Sequence, residues 1–296
     1  MASKNRKSLT PFLLLIIICA SCQSMPGVTG VLRDDAAYAP LDSGAGVYLF
    51  AHAKEARSII EILPIDELKD RQTRQMLDMT DFVAAAVFPA KSGRRFQLTA
   101  WGRYPASNAG TALNSNKSWE KITAAEGYTY WYSKSNSLSL ALNNKQAFAV
   151  STLNKTPAEP VAALPGIEIP QGFNDFRRRA PLSCWIDNPA PALVKILSEA
   201  GIPVRFPVQK LFFNLFQTGD KFEAVIRLQF ENASQARGIA AVLSLAGGFV
   251  SKDPGMMIAA LLLANPPVQS EANVDIKTAV LNKDELQVLL NYFIGV

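Results

Sequence analysis

Phe222, Ala224, Ile226, Leu228 and Phe230 alternate with Glu223, Arg227 and Gln229, a period of two broken only by Val225, which predicts a strand with one buried face. The run 211–216 before it is equally strand-like, and Thr218-Gly219-Asp220 between them predicts an antiparallel hairpin. Earlier in the chain, 82–88 and 96–104 around Ser92-Gly93 predict a second hairpin. A strand and a helix precede each. In the first half these are 47–52, then Ala56, Ile59, Ile60 and Leu63 at i, i+3, i+4 and i+7; in the second, 182–186, then Leu193, Ile196, Leu197 and Ala200 behind an Asn188 cap and Pro189. A helix start follows each hairpin, Pro105-Ala106-Ser107-Asn108 and Asn232-Ala233-Ser234-Gln235, the latter with capping-box spacing. The expected fold is therefore α+β: two related β-α-β-β-α halves, with mostly antiparallel sheets covered by helices. A further helix, 67–79, is expected in the first half only.

Beyond this unit the halves diverge. The first continues with strands at 128–132, 138–142 and 148–151, the last two separated by the turn signal Asn143-Asn144-Lys145. The second has two strongly apolar helical stretches, 239–250 and 256–264, broken at Ser251-Lys252-Asp253-Pro254 and followed by Pro266-Pro267. A strand at 274–281 leads into a last helix from Lys283, whose start is marked by Asn282 and Glu285 at capping-box spacing. Leu286, Leu289, Leu290 and Phe293 share one face of that helix.

From Ile239 to Ala264 only Ser244, Ser251, Lys252 and Asp253 are polar. Neither apolar piece reaches the roughly 20 residues that a membrane-spanning helix needs. Short helices of this kind have two stable homes, a protein core or the interfacial layer of a bilayer. Burial that depends on conditions is a third arrangement, with Gly247-Gly248 and Pro266-Pro267 as hinges and two states separated by a few kcal/mol.

The N-terminus bears on that choice. Lys4, Arg6 and Lys7 precede an apolar run at 12–18 and then Cys19-Ala20-Ser21-Cys22, which reads as an export signal ending at a lipid-attachment cysteine. Small residues ahead of Cys22 resemble a bacterial lipobox, so cleavage before Cys22 and acylation, with palmitate among the chains, are expected. Cys19 stands where leucine is commonest, which keeps cleavage without lipidation open. The expected divisions are 1–21 signal peptide, 22–45 lipidated flexible tether, 46–152 first α/β half, 153–180 linker, and 181–296 second half with the apolar and amphipathic helices. A tethered domain stays beside its bilayer, so an apolar helix that turns outward finds lipid at high effective concentration.

Formal charge is +5, but removal of 1–21 takes away Lys4, Arg6 and Lys7 and no acid, leaving about +2. Arg94-Arg95 and Arg177-Arg178-Arg179 are short and lack interleaved aromatics, so no nucleic-acid partner is expected. Of three cysteines, Cys184 lies in an apolar strand-like run and reads as a buried structural thiol. The single histidine, His52, closes a strand. No nucleophile–base pair, metal-ligand spacing or phosphate-cradling loop occurs, so no enzyme, catalytic residue, metal or cofactor is expected.

An exported, lipobox-bearing α/β chain of this length, with apolar and amphipathic helices around a duplicated sheet unit, resembles the treponemal outer-membrane-associated lipoprotein with membrane-inserting amphipathic helices. The resemblance implies a periplasmic-face position on the outer membrane, a closed-to-open transition and increased bilayer permeability. It carries membrane insertion onto three segments of this chain: Ile239, Val242, Leu243 and Phe249; Met256, Met257, Leu261 and Leu262; and Leu286, Leu289, Leu290 and Phe293. Membrane lipids are the expected partner, with any envelope protein partner unidentified. The competing reading is a periplasm-facing module that binds a lipid or another apolar ligand.

Overall fold

The computed structural model describes residues 41–62, 71–88, 95–104, 106–123, 129–135, 137–143, 147–152, 167, 169–177, 180–189, 207–250 and 257–294. Among the described residues twelve strands lie in one antiparallel sheet, in the order β11 (Val268–Ser270), β12 (Asn273–Lys277), β10 (Lys221–Gln229), β9 (Lys210–Thr218), β8 (Leu182–Asp187), β1 (Val47–His52), β2 (Thr80–Phe88), β3 (Arg95–Gly102), β7 (Ala147–Ser151), β6 (Leu138–Asn143), β5 (Thr129–Ser133) and β4 (Glu120–Thr123). The chain divides into two compact units, one formed by residues up to 44 with 51–168, the other by 45–50 with 169–296.

In the first unit, β2 (Thr80–Phe88) and β3 (Arg95–Gly102) form the predicted hairpin, with Val87 opposite Phe96 and a register irregularity between Thr80 and Phe82. β7 (Ala147–Ser151), β6 (Leu138–Asn143), β5 (Thr129–Ser133) and β4 (Glu120–Thr123) extend it as an antiparallel series. The helices are α1 (Arg57–Ile62), α2 (Arg71–Met79) and α3 (Ala106–Ser115). Ala109 and Leu113 of α3 pack into a core with Tyr104, Trp119, Leu140 and Phe148. The Trp131 indole N–H donates to Asn114 Oδ1 at 3.0 Å, so that large ring is buried with its polar atom satisfied. At the start of the described chain Leu41 is fully buried. Asp42 N donates to Gln97 Oε1 and Gln97 Nε2 to Asp42 Oδ2, each at 2.7 Å, and this clasp holds the incoming chain.

In the second unit β8 (Leu182–Asp187), β9 (Lys210–Thr218), β10 (Lys221–Gln229), β12 (Asn273–Lys277) and β11 (Val268–Ser270) pair in that order. The short helix α4 (Phe173–Arg177) packs on β8 and β9. Its Phe173 meets Trp185 at 5.0 Å and Phe212 at 5.2 Å between ring centroids, and Trp185 stacks on Phe50 of β1 (Val47–His52) at 5.3 Å. Arg227 lies 4.9 Å above the Phe176 ring and bonds both carboxylate oxygens of Asp275 at 2.7 Å. Since Arg227 faces α4, the buried row Phe222, Ala224, Ile226 and Leu228 points to the opposite side. α5 (Ala233–Val250) packs on β11, β12 and α6 (Met257–Leu262), while α7 (Lys283–Ile294) packs on β10.

This architecture overturns the expected fold class: a 12-stranded antiparallel sheet, not two helix-covered β-α-β-β-α halves, organises the chain. The duplicated pattern of strands and helices is local, whereas strand pairing is not. β1, read as opening the first half, has its residues 47–50 in the second unit. β4 and β11 carry no alternating signature and were missed; β4 has only Ile122 partly buried, and its Glu120 pairs with Lys134 at 2.8 Å. β12 ends at Lys277, and Leu281 returns as an isolated bridge to Phe222. Asn188, expected as a helix cap, adopts a left-handed φ of 50°, and the helix expected after it lies outside the described residues. Phe173, within the stretch expected as linker, is fully buried.

The α7 cap is as the sequence indicates. Asn282 Oδ1 accepts from the N–H groups of Asp284 at 2.9 Å and Glu285 at 3.0 Å, and Glu285 Oε2 accepts from Asn282 N at 2.8 Å. Asn282→Ala is expected to cost about 1 kcal/mol, read as a lower urea midpoint at unchanged slope.

Candidate functional site

The three helices expected to enter membranes differ sharply in how they are held. On α5, Ala236, Ile239, Ala240, Leu243 and Ala246 are buried and form one stripe, so Ile239 and Leu243 belong to the core. Val242 is half-buried, and Leu245 on the outer side is 68 % exposed. The outer hydroxyl of Ser244 is turned inward, donating to Ala240 O at 2.8 Å, which makes that face less polar than its sequence. On α7, Leu286 is fully buried.

α6 is different. From Ala259 through Leu263, including Leu261 and Leu262, every residue is half-buried and none is enclosed. Among the described residues its seat includes these ties. Ala279 N donates to Leu261 O at 2.9 Å, and Asn265 Nδ2 donates to the carbonyls of Lys277 at 3.1 Å and Thr278 at 2.9 Å. Gly247 permits the close crossing of α5, since a Cβ there would sit 3.1 Å from Leu263 O and 3.5 Å from its Cβ. Val280, next to the Ala279 that bonds Leu261, is 63 % exposed, and Val268 of β11 is 64 % exposed. No helix among the described residues is long and apolar enough to cross a membrane.

Phe249 lies in the last turn of α5, Met257 opens α6, and Leu289, Leu290 and Phe293 lie on α7. Met256 and Cys22 fall outside the described residues. Sequence reasoning does not single out the exposed Val268 and Val280, since isolated apolar residues on a short strand or turn carry no periodic signal, nor Leu245 of α5, since a stretch apolar all round marks no outer face. Cys184, expected as a buried thiol, is half-buried, and desolvation pushes its thiol up to about 12, which keeps it protonated at neutral pH. Among the described residues no group of three or more His, Cys, Asp or Glu side chains is placed to hold a metal ion.

Ala259–Leu262 of α6 and Leu263 after it thus form a short apolar surface that is only half enclosed. Residues 36–161 match the family described as outer membrane-associated lipoprotein TP0453. The fold is shared with TP0453 in three crystal forms. Form III gives a TM-score of 0.55 at 16 % identity and form IV 0.59 at 16 %, covering 86 % of this chain and 96 % and 95 % of theirs. Form I gives 0.58 at 15 %, over 86 % of this chain and 96 % of its own. No curated protein sequence matches. The chain is thus similar to the treponemal outer membrane-associated lipoproteins, and the lipid-anchored envelope localisation expected from its N-terminus accords with that similarity.

Proposed function

We propose that this protein is a non-enzymatic envelope lipoprotein, held by acylated Cys22, that sinks the α6 surface into the interfacial layer of the bilayer and perturbs or permeabilises it. The observation that carries the reading is the contrast in burial: α5 and α7 contribute enclosed core residues, whereas Ala259–Leu263 contributes none. Insertion is therefore assigned to α6 with Leu245, Val268 and Val280, while Ile239, Leu243 and Leu286 stay with the protein. Full burial of one Leu or Val side chain gains about 1.5–3 kcal/mol, so a few half-exposed side chains supply useful affinity beside a tethered bilayer.

The test is flotation of non-acylated protein, residues 23–296, with neutral and anionic liposomes, with dye release recorded on the same samples. Wild type is expected to float and to release dye. Leu262→Asp and Leu245→Asp are expected to lower binding about tenfold or more, through lost apolar transfer and the cost of burying a carboxylate. Leu245 is 68 % exposed, so its replacement leaves the urea midpoint nearly unchanged and separates binding from folding. Absence of flotation in wild type overturns the proposal, and lipid extracted without flotation would point to a carrier.

A further inference from the structure

Beneath α4, two buried polar atoms have no hydrogen-bond partner among the described residues: the indole Nε1 of Trp185 and the Oδ1 of Asn214. Both residues are 1 % exposed. The first can only donate and the second can only accept, so their needs are complementary. In the β8–β9 ladder Trp185 stands opposite Phe212 and Ser183 opposite Asn214. Trp185 and Asn214 are therefore diagonal neighbours on one face, a relation that places Cα atoms about 7–8 Å apart. The amide is oriented by its other end, since Asn214 Nδ2 donates to Phe176 O of α4. Its Oδ1 thus remains the acceptor.

A polar group without a partner in a packed ring cluster is costly, and a donor and an acceptor on one face can be satisfied together by one molecule that does both. The rings limit its size: Trp185 lies 4.4 Å from Tyr48, 5.3 Å from Phe50 and 5.0 Å from Phe173 between centroids. We propose that Trp185 and Asn214 form an internal binding site for a single water molecule, which accepts from the indole N–H and donates to the amide oxygen. The Asn214–Phe176 bond joins α4 to the sheet directly, and the water extends that polar link from Asn214 to Trp185. The link runs Phe176 O to Asn214 to water to Trp185, so the seating of α4 and the hydration of the indole rise and fall together.

The test is a water-to-indole NOE and ROE spectrum of the full chain with its tryptophan indoles labelled with nitrogen-15. Trp185 is expected to show a cross-peak to water with the sign of a long-lived bound molecule. Trp131, whose indole bonds Asn114 directly, is expected to show none. Ser183→Ala is expected to keep the peak, which excludes relay through the neighbouring hydroxyl, and Asn214→Val to lose it. A Trp185 indole with no long-lived water contact overturns the proposal on wild-type protein alone, whether or not the Asn214 variant folds. A peak that persists in folded Asn214→Val overturns it too.

Discussion

Gly102→Ala is expected to destabilise the protein by about 3 kcal/mol or more, among the largest effects any single methyl group can have here. A Cβ at this position would stand 2.0 Å from Met79 O, 2.8 Å from Thr80 Cα and 2.9 Å from Met79 C. All three are backbone atoms, so no flexible side-chain end can move aside. They are also committed elsewhere, because Met79 O accepts from Arg103 N at 2.8 Å where α2 runs into β2. The irregular register between Thr80 and Phe82 exists at this crossing, which brings the two backbones together. Urea unfolding measures the effect. Gly110→Ala is the matched comparison: its Cβ would make only ordinary contact, 3.8 Å from the Trp131 ring, and inside α3 it is expected to stabilise by about 0.5–1 kcal/mol. Equal midpoints for the two variants would remove the steric account.

Phe173→Ala is expected to cost about 3–5 kcal/mol and to release α4 from the sheet. Phe173 is fully buried and touches Phe50, Trp185 and Phe212 with centroid separations of 5.7, 5.0 and 5.2 Å. A helix of five residues has no stability of its own, so α4 exists because its rings are held. Phe173 supplies the larger part, and the Arg227 contact over Phe176 the smaller. The urea midpoint should fall, and amide exchange at Phe176 and Arg177 should speed up well before global unfolding. Slow exchange retained at those amides would show that α4 is held by something other than Phe173.

Membrane association and core stability then separate by residue. Leu245 and Leu262 are expected to govern binding with modest effects on folding, whereas Gly102 and Phe173 govern folding. The difference comes from exposure, since an apolar side chain already half in water loses little when made polar, and an enclosed one loses its full transfer energy and leaves a cavity.

The sequence by itself determined the local elements. Alternation at 222–230, the hairpin signals and the Asn282 capping box appear as β10, the β2–β3 and β9–β10 hairpins and α7, because side-chain period and end-group hydrogen bonds are properties of neighbouring residues. It also determined that 239–264 is apolar, and so marked that region, beside the C-terminal helix, as a candidate membrane surface. Only the tertiary structure decided which strands pair and which apolar helix is core. A repeated β-α-β-β-α pattern is equally compatible with two sheets or one, and the choice is made by contacts distant in sequence, as when β12 pairs with β10 and β7 with β3. A segment apolar all round has no polar face to mark its outer side. Its position against the sheet, enclosed at Leu243 and open at Leu262, therefore depends on what packs over it, and no residue within the segment records that.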